Sequence, residues 1–391
     1  MDTRQFIEEH LHDDVHELAL KYSNAKVDMA LALRQIEARQ LLRKKVPSWS
    51  DNPDLLFPAH LSIEQCSSEA TAQYKASLLK GVRFADLTGG LGVDCYFISR
   101  HFQYAYYVEL QQDLCALAEH NFGVLLGLDS SLMNIKTINE SAEAYLSHCS
   151  TLDCLFMDPA RRDMHGRKMV SVADCTPNVV ELQDLLLSKA RQVMVKLSPM
   201  LDISQALKEL RHVKEVHVVA VANECKELLL LMEPGFEGEP TLTCVNLQTD
   251  QPSISFSLND EKTSGLSLAK EPERYLYEPN AAVMKGGCFR LLTQRFDIQK
   301  LHRNSHLYTS ENLVESFPGR IFEIDGWAVY GKKANALLEG IDKASIAVRN
   351  FPMSVADLRK KLKIGDGDQH YLFATTLSDE RKILIKTNKI Q

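Results

Sequence analysis

The sequence predicts an α/β fold of the doubly wound type, in which a mainly parallel sheet carries helices on both faces. Between residues 81 and 233, apolar segments of strand length alternate with segments of helical periodicity, as in parallel sheets with helical crossovers. Only the four residues Ala222–Cys225 separate the last two strands, which is too short for a crossover helix. The last strand is therefore expected to run antiparallel. The seven strands are predicted near 82–86, 104–108, 134–138, 152–157, 192–197, 215–221 and 226–232.

Helical periodicity fills the gaps between these strands and dominates the segment before them. Crossover helices are predicted near 92–100, 111–126, 141–148, 177–190 and 203–211. Residues 1–78 are predicted to form an N-terminal helical region, because their apolar residues recur with a period of about 3.6. Within it, Ser62 and Gln65 have the spacing of a capping box and predict a helix that continues through Leu79.

The segment after residue 233 has a different pattern and predicts a C-terminal α+β part. Short strands are expected near 241–246 and 253–258, followed by a polar linker over 261–272. Beyond the linker, helices are predicted at 280–297, 334–341 and 354–363, and strands near 320–330, 344–349, 370–376 and 382–387. The last two strands should pair as a hairpin. These patterns divide the chain into domains at 1–78, 79–270, 271–315 and 316–391.

Composition narrows the class of protein. At 391 residues, with 45% hydrophobic and 25% charged residues, the chain is an ordinary globular protein of two or three domains. No apolar run has membrane-spanning length, so no membrane partner is expected. The nine cysteines form no C-x-x-C pair, which argues against a structural metal or a disulfide framework and favours a cytoplasmic location.

Charge is distributed unevenly along the chain. The whole chain has a formal net charge of −7, yet residues 316–391 contain 13 Lys/Arg against 9 Asp/Glu. This excess indicates that the C-terminal part could meet a polyanion, although a solvated helix face would give the same count.

The segment Phe84–Asp94 has the pattern of a ligand-binding loop. An apolar strand runs into Asp86, and a turn with Gly89, Gly90 and Gly92 follows before a helix begins. Glycine lets a backbone turn tightly and approach a ligand. A dinucleotide site would need G-x-G-x-x-G, but no glycine lies three residues beyond Gly92, and Asp86 would repel a pyrophosphate. The acidic residue suits a ligand with an amine, such as S-adenosylmethionine, which has a sulfonium and no phosphate.

A second acidic residue, Glu109, ends the next predicted strand 23 residues after Asp86. An acidic residue at this position can accept hydrogen bonds from ribose hydroxyls. The alternative is a βαβ unit whose glycine turn holds no cofactor, and the two acidic strand ends together argue against that alternative.

The chain resembles class I S-adenosylmethionine-dependent methyltransferases. Asp86-Leu87-Thr88-Gly89-Gly90-Leu91-Gly92, Glu109 and Met157-Asp158-Pro159-Ala160-Arg161 look like their motifs I, II and IV. More narrowly, residues 65–75, 277–287 and 350–368 resemble a bacterial family that joins such a core to a C-terminal THUMP-like domain. The resemblance implies a seven-stranded Rossmann-like core, a ferredoxin-like segment at 271–315, a THUMP-like domain at 316–391, and S-adenosylmethionine as cofactor.

The resemblance also implies which residues bind the cofactor. Ser141 and Ala142 fall where the family meets the adenine, although the family often has an acidic residue in place of Ser141, and Glu140 could substitute. Glu69 would lie near the methionine end. The remaining cofactor-binding positions are Asp86, Thr88, Gly89, Gly90, Gly92 and Glu109.

The end of the fourth strand has the chemistry of an amine-methylating site. Methyl transfer from a sulfonium is an in-line displacement that mainly needs alignment. The Asp158 side chain and the Pro159 carbonyl can accept hydrogen bonds from the N–H groups of an aromatic amine, and Asp158 could take the leaving proton. A helix N-cap or turn is the alternative role for Asp158. Cys154 lies inside the strand, which disfavours carbon methylation through a cysteine nucleophile.

Three basic residues are candidates for substrate binding. Arg161 and Arg162 could stack on a base or pair with phosphate. Lys196, at the end of the fifth strand, could contact substrate or form a salt bridge with Asp158. The preferred function is methylation of a base nitrogen in a structured RNA such as tRNA or rRNA. The alternatives are methylation of a small molecule or protein, and an RNA-binding module that senses the cofactor without turnover.

Overall fold

The structure is a computed structural model that describes residues 2–22, 26–58, 60–127, 134–161, 171–331 and 334–390. Its internal contacts divide the chain into two compact units, and each is described separately below. The first unit consists of residues 1–215 with 227–238, and the second of residues 216–226 with 239–391.

The first unit begins with helices that pack around a small apolar core of Phe6, Leu18, Ala32 and Ile36. Asp2, Asp14 and Asp28 cap three of these helices, each accepting a hydrogen bond from a backbone N–H of the first turn. The helices of this region are α1 (Thr3–Glu9), α2 (Val15–Lys21), α3 (Met29–Lys45), α4 (Pro47–Ser50), α5 (His60–Gln65) and α6 (Glu69–Leu78).

The single helix predicted from Ser62 through Leu79 is wrong, because the chain breaks after Gln65. Ser68 is extended and its hydroxyl accepts a hydrogen bond from the Thr71 amide, so a new helix begins at Glu69. The side chain of Ser67 turns inward and donates to Asp94. The physical reason for the break is that two adjacent serines find better side-chain partners outside a helix than within one.

Residues 50–57 have almost no regular structure and are held by buried polar side chains. The guanidinium of Arg39 donates to the carbonyls of Ser50, Asn52, Pro53 and Leu55. Further along, Gln35 exchanges two hydrogen bonds with the backbone of Phe57, and Asn121 exchanges two with the backbone of Leu56. These side chains satisfy backbone groups that a sheet neighbour would otherwise satisfy.

The predicted alternation of strands and helices is confirmed. The strands are β1 (Arg83–Asp86), β2 (Tyr104–Val108), β3 (Asn134–Ile138), β4 (Leu152–Met157), β5 (Ala160–Arg161), β6 (Cys175–Thr176), β7 (Ala190–Leu197), β8 (Val213–Val221) and β9 (Glu224–Met232). The helices between them are α7 (Val93–Ser99), α8 (Gln112–Gly127), α9 (Ala142–His148), α10 (Val179–Lys189) and α11 (Ile203–Glu209).

The sheet has the doubly wound order predicted from the sequence. Its nine strands follow the order β11-β10-β8-β9-β7-β4-β1-β2-β3, where β10 is Thr241–Leu247 and β11 is Ile254–Ser257. Strand β1 is parallel to β2 and β4, β2 is parallel to β3, and β4 is parallel to β7. Strand β9 is antiparallel to β7, as the short connection before it required. Consequently, β1, β2, β4 and β7 all end at one edge of the sheet, where the candidate site residues lie.

The second unit contains two further sheet strands and a separate α+β part. Strands β10 (Thr241–Leu247) and β11 (Ile254–Ser257) pair antiparallel and are followed by α12 (Leu258–Thr263), which occupies the start of the predicted linker. Helix α13 (Ala281–Gly286) approaches β10 closely, because a Cβ on Gly286 would overlap the sulfur of Cys244. This packing places residues 239–270 with the C-terminal part rather than with the first unit.

A seven-stranded sheet organises the rest of the second unit. Its strands follow the order β13 (Gln299–Lys300), β14 (Tyr308–Ser310), β12 (Tyr275–Pro279), β15 (Gly319–Val329), β18 (Lys382–Lys389), β17 (Tyr371–Thr376) and β16 (Ser345–Arg349). The helix predicted over 280–297 is instead two helices, because Gly287 adopts a left-handed conformation and ends α13. The hairpin of the last two strands is confirmed. The further helices of this part are α14 (Leu291–Arg295), α15 (Ala334–Leu337) and α16 (Val355–Leu362).

Candidate cofactor cradle and active site

The loop between β1 and α7 has a conformation that needs its glycines. A Cβ on Gly89 would overlap the ring of Tyr107. Gly90 and Gly92 have φ values of +55° and +87°, in the left-handed region that other residues rarely adopt. The Gly89 amide donates to the Val108 carbonyl at 2.9 Å, which fixes the loop against the end of β2. Gly89 and Gly92 are buried against the rings of Tyr107 and Phe122, whereas Gly90 is half-buried and a Cβ there would overlap no other atom.

Tyr107 supports this loop from below, a role that sequence reasoning missed. Its hydroxyl donates to the Gly90 carbonyl at 2.6 Å, and its ring contacts Phe122 edge-on at a centroid separation of 5.4 Å. Burial raises the pKa of the Tyr107 hydroxyl, so the group remains a donor. The only signal in the sequence was an aromatic residue near the end of the second strand.

Glu109 is bound to the glycine loop rather than extended into solvent. Its Oε2 accepts a hydrogen bond from the Gly90 amide and its Oε1 accepts one from the Gln111 amide, both at 2.8 Å. The side-chain amide of Asn139, at the end of β3, donates to the carbonyls of Glu109 and Leu110. Each carboxylate oxygen retains a second lone pair, so the group can accept two further hydrogen bonds.

Asp86 is 1% exposed and accepts hydrogen bonds only from Thr88 among the described residues, from its amide at 3.0 Å and its hydroxyl at 3.4 Å. Burial, and beyond it the nearby carboxylates of Asp94, Asp158 and Glu109, raise the pKa of Asp86 well above its ordinary value, against the Thr88 hydrogen bond. No cation among the described side chains forms an ion pair with it. Such a group is suited to a cationic ligand.

The end of β3 supplies the surface next to Glu109. Ser141 caps α9, its hydroxyl accepting from the Ala144 amide at 3.1 Å, and Ala142 is buried. Glu140 lies 2.8 Å from a ring nitrogen of His148. Leu110 is 70% exposed directly after Glu109, and sequence reasoning overlooked it. The signal that could have identified it is an apolar residue immediately after an acidic strand end.

Thr88 joins the end of β4 to the glycine loop. Its hydroxyl accepts a hydrogen bond from the Asp158 amide at 2.7 Å. Pro159 is buried directly after Asp158. The backbone of Arg161 lies in β5, whereas its side chain and the whole of Arg162 are outside the described residues. Glu69, proposed for the methionine end, accepts hydrogen bonds from the amide and hydroxyl of Ser48.

Lys196, at the end of β7, is bound to Asp158. Its Nζ lies 2.5 Å from Asp158 Oδ2, so the salt bridge that was one of two alternatives is present. Burial alone would lower the pKa of Lys196, but the carboxylates of Asp158, Asp94 and Glu227 outweigh it and raise the pKa. Lys196 is therefore a cation that holds one oxygen of Asp158.

Cys154 does not have the environment of a nucleophile. It is 2% exposed within β4, and its sulfur lies 3.5 Å from the Lys80 carbonyl. Burial raises the pKa of its thiol to about 12, so almost none is thiolate near neutral pH.

Among the described residues no three His, Cys, Asp or Glu side chains are placed to hold a metal, and none of the described helices is long and apolar enough to cross a bilayer.

Comparison with known families and structures places this geometry in context. Residues 275–318 match a ferredoxin-like domain family and residues 319–389 match a THUMP domain-like family. No curated protein matches the chain. Two solved structures, an rRNA methylase from Streptococcus thermophilus and TrmK from M. capricolum bound to S-adenosylhomocysteine, are 12% and 11% identical, with TM-scores of 0.30 and 0.32. Each alignment covers 42% of this chain, with 94% and 68% of the respective relative.

A similarity over the full length comes from a crystal structure from Porphyromonas gingivalis W83, described as a candidate methyltransferase. It is 30% identical to this chain, with a TM-score of 0.87, and the alignment covers 100% of this chain and 98% of that one. An alignment of this coverage includes the N-terminal helices, the sheet and both C-terminal segments. The chain therefore belongs to the bacterial family that joins a class I S-adenosylmethionine-dependent methyltransferase core to a C-terminal THUMP-like domain.

Proposed function

We propose that this protein transfers the methyl group of S-adenosylmethionine to a base nitrogen of a structured RNA. The observation that carries the proposal is the hydrogen bond between the Asp158 amide and the Thr88 hydroxyl. It joins the end of β4, where an amine substrate would be held, to the loop where the cofactor would be held. A substrate on Asp158 and a cofactor on the loop are then neighbours, which is the arrangement that in-line methyl transfer needs.

The loop residues fit S-adenosylmethionine better than a dinucleotide. Asp86 offers a buried carboxylate to the amine of the cofactor, directly or through a water molecule. Glu109 has one free lone pair on each oxygen for the two ribose hydroxyls. Both groups are acidic and would repel a pyrophosphate. Thr88 and Gly90 are half-buried, and the turn at Gly89, Gly90 and Gly92 would let the backbone approach the methionine and the sugar without a Cβ in the way.

The adenine is assigned to the surface beside Glu109. Leu110 offers an exposed apolar side chain, and burying it under an aromatic ring would remove that surface from water. Ser141 and Ala142 begin α9 at the neighbouring strand end. Because the Ser141 hydroxyl already caps the helix, this pair contributes through its backbone and its small size.

When bound, the cofactor supplies an electrophilic methyl carbon on a sulfonium. Lys196 holds Asp158 Oδ2, and no described residue donates to Oδ1. Oδ1 and the Pro159 carbonyl would accept hydrogen bonds from the N–H groups of an aromatic amine. This would turn the lone pair of its nitrogen toward the methyl group. Asp158 then accepts the proton that the nitrogen loses. Arg161 and Arg162 follow directly in the sequence, and we assign them to the base or its phosphate.

RNA is favoured as the substrate by the C-terminal part. The matched ferredoxin-like and THUMP-like segments cover residues 275–389, and the positive excess lies in the same part of the chain. Lys360 and Lys363 on and after α16 are exposed. Arg359 is not available for phosphate, because its guanidinium donates to the carbonyls of Ala344 and Gly365 and pairs with Asp366.

The test is to compare the modified nucleosides of RNA from cells with and without the gene by mass spectrometry. RNA from the deleted cells is then incubated with the purified protein and labelled S-adenosylmethionine. We expect one methylated nucleoside to disappear on deletion and to be restored by the protein, but not by Asp158→Ala, which should still bind the cofactor. Identical nucleosides in both cells, or full activity of Asp158→Ala, would overturn the proposal.

A further inference from the structure

Beside Asp158, a group of buried ionisable side chains forms a continuous network, which we call the lysine network. Lys75 Nζ lies 2.8 Å from each carboxylate oxygen of Glu227 and 3.1 Å from Asp94 Oδ1. Lys196 Nζ lies 2.5 Å from Asp158 Oδ2 and 3.8 Å from Asp94 Oδ2. Asp94 therefore stands between the two ammonium groups, and all five groups belong to the first unit.

Ser67 is the polar centre of the lysine network. Its hydroxyl donates to Asp94 Oδ2 at 2.6 Å and accepts from Lys75 at 3.1 Å and from Lys196 at 3.2 Å. Ser67 can reach these partners because the chain is not helical between α5 and α6. The break that sequence reasoning missed thus supplies a ligand to both lysines.

The network is buried deeply enough for its charge balance to matter. Lys75 is 0% exposed and Glu227 is 3% exposed. Three carboxylates face two ammonium groups, so the network carries one excess negative charge when all its groups are ionised. An unpaired charge is very costly in such surroundings, so each carboxylate needs a cationic partner. The two lysines must therefore divide the three carboxylates between them.

The directions of the pKa shifts agree with this geometry. Burial raises the pKa of Glu227 despite Lys75 and Lys196. The same burial acts on Asp94, but Lys75, Lys196 and the Ser67 hydroxyl together lower its pKa. Asp86 and the thiol of Cys66 also face this region, and Asp86 is close enough for Asp94 and Asp158 to act on it.

We propose that Lys75 is a positioning residue for methyl transfer, because it neutralises Asp94 and Glu227 and thereby leaves Lys196 free to hold Asp158. This inference rests on the proposed function, in which Asp158 binds the substrate. Without Lys75, the single remaining ammonium would be attracted by three carboxylates. Lys196 would then move toward Asp94 and Glu227, and Asp158, whose side chain is 36% exposed, would lose its only fixed oxygen.

The test uses Lys75→Met in the full chain, a substitution that keeps the length of the side chain and removes its charge. A crystal structure should show Lys196 Nζ moved away from Asp158 Oδ2 toward Asp94. Methyl transfer to RNA from the gene-deleted cells should fall by about tenfold or more in kcat, equivalent to roughly 1.4 kcal/mol in the barrier. Binding of S-adenosylmethionine, measured by calorimetry, should change by less than about twofold, because Lys75 forms no hydrogen bond or ion pair with Asp86, Glu109 or the glycine loop among the described residues.

Two further variants separate positioning from general damage. Lys75→Met/Glu227→Leu removes one buried charge of each sign, so Lys196 should remain on Asp158 and most of the activity should return. It also serves as the test if Lys75→Met alone does not fold. Lys189→Met makes the same substitution at a lysine whose hydrogen bond among the described residues is to the Cys149 carbonyl, and activity should be unchanged.

The inference fails if Lys196 stays on Asp158 in Lys75→Met, or if the double variant loses that contact. The crystal structures decide this point without reference to activity. A parent enzyme that leaves the RNA unmethylated would therefore contradict the proposed function alone, while the position of Lys196 would still be decided.

Discussion

Two buried aspartates at opposite ends of the glycine loop have opposite environments. Asp86 accepts hydrogen bonds only from Thr88 among the described residues, and burial raises its pKa. Asp94 is in contact with Lys75, Lys196 and Ser67, which together lower its pKa although burial opposes them. One carboxylate is already neutralised by the protein, and the other is left for a ligand to neutralise. Burial of a charge therefore distinguishes a structural group from a binding group only when its partners are counted.

The largest expected effect comes from removing a cation that neutralises Asp94. Lys75→Met should lower the free energy of unfolding by about 3–5 kcal/mol, because it leaves Asp94 and Glu227 as buried carboxylates with too few partners. Urea unfolding followed by circular dichroism measures this change. A loss below about 1 kcal/mol would mean that water or rearrangement replaces Lys75 at little cost.

Substitution of Asp86 should have a smaller effect than Lys75→Met, and it should weaken cofactor binding without lowering the stability of the protein. Asp86→Asn keeps an oxygen for the Thr88 amide but removes the negative charge, so it should weaken S-adenosylmethionine binding by about 1–3 kcal/mol. The cofactor-free protein should be no less stable than the parent, since the variant buries no charge. Calorimetry and urea unfolding test the two parts. Unchanged cofactor affinity would remove Asp86 from the binding site.

The pH dependence of cofactor binding sharpens the comparison further. Burial raises the pKa of Asp86, so this carboxyl keeps its proton to higher pH than an ordinary aspartate, and the positively charged amine of the cofactor must displace that proton wherever it is bound. Affinity should therefore rise with pH, by at most about tenfold per pH unit, over the range in which Asp86 of the free protein loses its proton. Calorimetry across this range measures the slope. Asp86→Asn should abolish most of it, and an equally steep slope in that variant would assign the proton to another group.

The smallest effect on stability is expected for exposed lysines of the second unit. Lys360→Glu/Lys363→Glu should change the free energy of unfolding by less than about 1 kcal/mol, because exposed charges are screened by water. The same variant should bind RNA from gene-deleted cells more weakly, and RNA binding by the parent should weaken with added salt. Filter binding at low and physiological salt tests this. Equal retention of RNA by both proteins would leave the second unit without a role in binding.

Local patterns predicted most of the fold and identified the glycine loop and the acidic strand ends to which we assign the cofactor. The alternation of strand and helix periods predicted the doubly wound fold. An apolar strand that lies between two helices in the sequence is best buried in a sheet covered by helices on both faces. Glycines and acidic strand ends pointed to the loop, since only a few residue types allow that conformation. Asp86, Glu109 and Asp158 all lie at the sheet edge that the strand order specified.

Contacts between distant parts of the chain could not be predicted in the same way. Lys75 and Glu227 are 152 residues apart, and nothing in either local segment indicates its partner. The same holds for Arg39, whose guanidinium donates to four carbonyls of residues 50–55. The break at Ser67 was missed because the hydroxyl partners that stabilise it come from other elements.

The segment at residues 50–57 has a consequence for how the protein opens. The amides of Phe57 and Leu56 donate to the side chains of Gln35 and Asn121 rather than to strands, and Phe57 is buried although Leu56 is partly exposed. Hydrogen exchange at Leu56 and Phe57 should therefore be slow, although the segment has the secondary structure of a loop. Exchange there would require α3 or α8 to move away, so these two amides report on the sub-global unfolding of the helices that hold them.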